Sequence, residues 1–171
     1  GKFFIHNRKI EDSKRGGYGK ISAARVFEVS SNVGIVKLIR KHYDNNPQKF
    51  INKLEKYGFT KPIGFSIKGE GKPFVPTPKN KKRWSKISLE WMSWGYGVSV
   101  TAMQTLMFYN AIANDGVMVK PMFVKELRRQ DKSGKVFETE VINPKIASVE
   151  TLKKIRKVME NVVIKGTANN I

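Results

Sequence analysis

Between residues 60 and 83 the chain carries Pro62, Gly64, Gly69, Gly71, Pro73, Pro76 and Pro78. Proline removes an amide donor and glycine frees the backbone, so no helix or strand of ordinary length fits between breakers this close together. The stretch reads as one long irregular excursion, and loops of this length are usually functional or mobile. Regular structure must therefore form on either side of it. The 171 residues suit one domain with a single core, or two small lobes sharing one.

Helical patterns dominate the N-terminal side. Ser22 is placed to cap a helix running through Ala23, Ala24, Val26, Phe27 and Val29. Ser30, Ser31 and Asn32 then interrupt the apolar run. A second helix follows, with Val33, Ile35, Val36, Leu38 and Ile39 near one face and Lys37, Arg40 and Lys41 on the other. Asn46-Pro47 is a helix start, Phe50, Ile51, Leu54 and Tyr57 recur at helical spacing, and Gly58 is a C-terminal stop. His6 lies in a leader with no defined pattern, whose apolar run is too short for a signal peptide or a membrane span.

Beyond the excursion, Thr101 and Gln104 form a capping box. The helix they open carries Leu106, Met107, Tyr109 and Ile112 on more than one face, which predicts a central, largely buried element ended by Asn114-Asp115-Gly116. Residues 122–127 and 135–139 read as two strands joined through an Asp131-Lys132-Ser133-Gly134 turn. A last helix starts after Ser148, carries Leu152, Ile155, Val158 and Met159, and fades by Gly166. The pattern is α+β: a helical part, then a hairpin and a helix.

Composition narrows the chemistry. The chain has no cysteine, which removes disulfides, thiolate catalysis and cysteine metal sites. His6 and His42 lie far apart and outside any metal-ligand spacing, so neither a metal nor a cofactor is expected. Thirty-three Lys and Arg against 14 Asp and Glu give a net charge of +19. Such a field attracts polyanions and anionic surfaces. Lys79 through Trp84 reads either as a solvated loop with one anchoring ring or as a basic patch for nucleic acid or a headgroup. Against a nucleic-acid module, the positive charges are spread along the chain and no recognition motif appears. Trp84, Trp91 and Trp94 surround a glycine-rich turn, where packing is the simpler reading.

Four blocks then carry a resemblance. Ser30-Ser31-Asn32, with the helix after it, resembles the S-x-N motif of penicillin-binding proteins. Arg83-Trp84-Ser85 is similar to a second family block. Gly95-Tyr96-Gly97, running into Val100-Thr101 and Gln104, matches a third. Ala111 through Val117, followed by Lys120-Pro121, matches a fourth. Order and spacing agree from about Gly17 to Thr167, most closely with the monofunctional class B transpeptidases of division or elongation.

The resemblance implies a fold class, α+β: the mainly helical lobe of the penicillin-binding/serine β-lactamase-like fold plus an antiparallel hairpin from its sheet, incomplete. Residues 22–116 would be the helical lobe with S-x-N, and 117–171 the sheet hairpin and following helix. It implies a peptidoglycan D,D-transpeptidase that cross-links stem peptides through an acyl-serine and is trapped by β-lactam antibiotics. Ser30 would relay a proton toward the leaving amine, Asn32 would orient the donor peptide, and Ser31 would point elsewhere. A hydroxyl both donates and accepts, and an amide fixes a substrate by orientation, so the residue types suit those roles. The implied partners are stem peptide, β-lactams and the division or elongation machinery, with no nucleic acid. The implied location is the cytoplasmic membrane, with the domain on its periplasmic or extracellular side. A basic nucleic-acid module, or a β-lactamase or penicillin sensor of the same fold, are the alternatives.

The sequence also departs from the family. No serine is followed three residues later by lysine, so S-x-x-K is absent. Lys132-Ser133-Gly134 fits the letters of the third motif but precedes the last helix, where the family has it after, and is read as a turn. The chain opens without methionine, stops at Ala-Asn-Asn-Ile, and reads as a central piece of a longer protein. Alone it is expected to be inactive.

Overall fold

The computed structural model describes residues 1–129 and 132–169. Its first element is absent from the sequence reading. Residues 1–11 form a hairpin, with β1 (Lys2–Ile5) and β2 (Arg8–Glu11) paired antiparallel and Ile5 opposite Arg8. The two linking residues, His6 and Asn7, both have positive φ, 44° and 61°. That is the backbone of a two-residue turn whose twist matches the strands. The hairpin stays folded because Ile5 and Ile10, both buried, pack on Val33 and Val36, with Phe3 and Trp94 at the edge. The leader is thus an ordered lid on the helical layer.

Helices α1 (Ala23–Glu28), α2 (Asn32–Tyr43) and α3 (Pro47–Lys56) follow. Ser22 caps α1 by accepting from the Arg25 amide, and Gly58 closes the third helix at a φ of 80°. Residues 60–87 contain no helix and no named strand, only a bridge between Phe74 and Ser99. Two side chains hold this excursion. Gln104, fully buried, donates from Nε2 to the carbonyls of Gly58 (2.8 Å) and Lys61 (2.9 Å) while its Oε1 completes the capping box with Thr101. Glu70 accepts from three successive amides, Ile63, Gly64 (2.9 Å) and Phe65 (3.1 Å).

Desolvation pushes the Glu70 carboxyl up, but those amide bonds and the charge of Lys120 outweigh it and hold the group below its ordinary value. A depressed carboxyl stabilises the loop above the ordinary pKa, and the contribution is lost as pH falls through the lowered one. Acidification is therefore expected to shift the amide protons of 63–65 together, with a midpoint below 4.5. Glu70→Gln should abolish that titration; shifts that persist in the variant would refute the assignment.

The short α4 (Ser88–Met92) leads to α5 (Ala102–Ala113), then β3 (Met118–Val119), β4 (Glu126–Arg129), β5 (Lys132–Val136), β6 (Val141–Asn143) and α6 (Val149–Lys165). β3 pairs antiparallel with β6, and β4 with β5. The main core joins Met107, Ala111 and Ile112 of α5 to Met118, Ile146 and Leu152.

Three expectations need correction. Helix α5 buries one face only, since Leu106 is 57% and Tyr109 46% exposed. Its apolar residues do spread around the axis, but among the described residues nothing covers the second face. Lys132, Ser133 and Gly134 belong to strand β5, not to a turn, because Arg129 pairs directly with Lys132. The residues joining those strands, Gln130 and Asp131, lie outside the described residues. Met122, Phe123 and Val124 also precede the strand they were expected to form.

Candidate active site

The end of α1 is built as a Schellman stop with a serine in the glycine position. The Ser31 amide donates to the Val26 carbonyl (2.9 Å), and the Ser30 amide donates to that of Phe27 (3.1 Å). Ser30 accordingly sits at a φ of 51°. Left-handed backbone costs an L-residue roughly 1–2 kcal/mol and costs glycine almost nothing. The strained conformation turns Ser30 outward, and it is exposed.

Ser31 does point elsewhere, and it has work of its own. It is 4% exposed and caps α2: its Oγ accepts from the Gly34 amide (2.9 Å) and donates to Asp12 Oδ1 (2.8 Å). The break in the apolar run is thus both a cap and a presentation of Ser30. Gly34 lets the two helices meet here, since a Cβ at that position would lie 2.5 Å from Val26 Cγ2. Asn32 opens α2, half-buried, and donates from Nδ2 to the Glu11 carbonyl (3.1 Å), which fixes its amide plane.

Ser30 and Asn32 both line a cavity of about 430 Å³, together with Phe27, Trp94, Tyr109 and Val162. The walls come from α1, α2, the turn after α4, α5 and α6. Trp94 also stacks with Trp91 and Tyr96, whose rings lie 5.4 Å apart edge-on. A second cleft, about 410 Å³, lies between the excursion and β4–β5 and is lined chiefly by apolar side chains such as Phe65, Phe123 and Phe137. It lacks the hydroxyl–carboxamide pair, so the Ser30 cavity is the better candidate.

Helix α6 is tied to α1 across the cavity. Glu28, 3% exposed, accepts from Arg25 (3.1 Å) and from Asn161 Nδ2 (2.9 Å). Arg25 also reaches the Lys165 carbonyl (2.9 Å), and the Thr167 amide donates to the Glu28 carbonyl (3.1 Å). Desolvation raises the Glu28 carboxyl, yet the bonds from Arg25 and Asn161, with the Lys165 charge, keep it below its usual range. It is therefore an anion at neutral pH, as the clamp requires.

Sequence reasoning proposed Ser30 and Asn32, which the structure brings to one cavity, and did not assign Asp12, Trp94, Tyr109 and Val162 as their surroundings. The sequence reading gives Asp12 no role; its partner is Ser31, 19 residues on. Its one sequence signal was position, an acid directly after a short alternating run.

Comparison with known proteins agrees with the geometry. The chain is 30% identical over 157 residues to penicillin-binding protein PbpB of Mycobacterium tuberculosis, covering 90% of this chain and 22% of that protein. It is 26% identical over 164 residues to the peptidoglycan D,D-transpeptidase FtsI of Buchnera aphidicola, covering 96% and 27%. It thus spans about a quarter of the length of these curated relatives. Its fold matches the crystal structure of penicillin-binding protein 3 from Mycobacterium tuberculosis complexed with aztreonam, with a TM-score of 0.83 and 28% identity over 95% of this chain and 35% of that one. The family model for the penicillin binding protein transpeptidase domain matches residues 4–171. The match of that family model to nearly the whole sequence shows that this chain belongs to the penicillin-binding protein transpeptidase family.

Proposed function

We propose that this chain is the S-x-N portion of a peptidoglycan D,D-transpeptidase, with residues 22–116 as helical lobe and 117–171 as hairpin and helix of the sheet side. The observation that carries the reading is Ser30, a serine held at a left-handed position at the rim of a cavity it shares with Asn32. In the longer protein an acyl-serine forms at an S-x-x-K serine that this sequence does not contain. As that acyl-serine forms and the peptide C–N bond breaks, Ser30 passes a proton to the departing D-alanine amine, its hydroxyl accepting one proton as it donates another. Asn32, anchored on the Glu11 carbonyl, offers its remaining amide capacity to the donor peptide and limits its orientations. Phe27, Tyr109 and Val162 supply an apolar wall beside the pair. The substrate is a D-alanyl-D-alanine stem peptide, and β-lactams acylate the same serine.

The longer protein is proposed to sit in the cytoplasmic membrane with this domain outside, working with division or elongation proteins. Among the described residues no helix is long and apolar enough to cross a membrane. A fluorescent penicillin tests the reading. This chain alone should take no covalent label, and the longer protein should take one per molecule. Asn32→Ala in the longer protein should slow labelling by about 10²-fold, the cost of misplacing a reactant. A labelled band from the chain alone, or an Asn32→Ala rate equal to the parent's, would overturn it.

A further inference from the structure

We propose that Asp12 is a positioning residue for the Ser30–Asn32 bend. The inference rests on the reading of Ser30 and Asn32 as site residues. Asp12 follows directly on β2, and its side chain is 4% exposed. Its Oδ1 accepts from the Ser31 hydroxyl (2.8 Å) and from the Val33 amide (3.1 Å). Ser31 Oγ in turn accepts from the Gly34 amide (2.9 Å). Two of the free amides that open α2 are thus satisfied, one by Asp12 directly and one through Ser31.

The neighbouring residue completes the grip, because the Glu11 carbonyl accepts from Asn32 Nδ2. The end of one strand therefore fixes both residues that follow Ser30, and among the described residues the strained serine is the member of the triplet whose side chain makes no hydrogen bond. The strand is held in turn by Ile10 against Val33 and Val36. A carboxylate at a helix start also lies where the helix dipole favours negative charge. Asp12 touches no substrate; it acts through Ser31 and the first turn of α2.

Both bonds end on one oxygen, which gives the test its discrimination. Asn at position 12 presents an equivalent oxygen, and Ala presents none. In the longer protein, the rate constant for fluorescent-penicillin labelling should fall about 10²-fold in Asp12→Ala and stay within about threefold of the parent in Asp12→Asn. Asp12→Ala/Ser31→Ala should be no slower than Asp12→Ala, since the two residues act as one unit. Saturating label separately counts the folded fraction, so a purely structural role would lower the amplitude and leave the rate constant of the labelled molecules unchanged. That result overturns the proposal. Ser30→Ala is run in parallel: if it is slow while Asp12→Ala is not, the positioning role fails alone. If Ser30→Ala labels at the parent rate, the underlying site reading fails.

Discussion

Ser30→Gly is expected to stabilise the fold and to disable the enzyme. Ser30 occupies the C′ position of a Schellman stop at a φ of 51°, where glycine is the usual residue. Relief of left-handed strain is worth roughly 1–2 kcal/mol. The greater freedom of glycine in the unfolded chain returns about 0.5–1 kcal/mol. The balance is a gain of about 0–1.5 kcal/mol, which for a chain this long raises the thermal midpoint by about 2 °C at mid-range. In the longer protein the same change deletes the hydroxyl proposed to relay the proton, and acylation by a fluorescent penicillin should fall by about 10²–10⁴-fold. The opposite signs are the point of the experiment. A lower midpoint with acylation retained would mean that the serine is there for the fold.

Met118→Ala should have the largest effect on stability. Met118 is fully buried on β3, where Met107, Ala111, Ile112, Ile146 and Leu152 surround it. Truncation removes three heavy atoms from a site bounded by two helices and leaves a cavity that these elements cannot close without moving. Such changes cost about 2–5 kcal/mol, here equivalent to a loss of roughly 10 °C in midpoint. Leu106→Ala on α5 is the control: that side chain is 57% exposed, and its removal should change stability by less than about 0.5 kcal/mol. Equal midpoints for the two variants would show that the core is not where the structure places it.

What the sequence made legible was local. The caps at Ser22, Ser148 and Thr101–Gln104 depend on residues three apart, and each forms as expected. So does the irregular course of the excursion, because its prolines and glycines forbid alternatives whatever surrounds them. The N-terminal hairpin was not legible: its strands are four residues long, and it is stabilised by contacts with Val33 and Val36. The β4–β5 register failed for a related reason, since it shifts between Leu127 and Arg129, and such an irregularity has no periodic signature. Helix α5 was assigned a second buried face because a hydrophobic pattern does not say whether a neighbour is there to cover it. At the site, Ser30 and Asn32 stood out as polar residues in an apolar run. The side chains around them come from four distant segments that only the fold unites.

The bond between Asn161 and Glu28 spans 133 residues. Translation at about 5–20 residues per second puts roughly 7–27 s between the emergence of these partners from a ribosome. For that interval the serine-bearing bend exists with one bank of its cleft still unsynthesised. The cleft wall therefore closes only once α6 has been made, so its shape is set by distant partners and not by the motif itself.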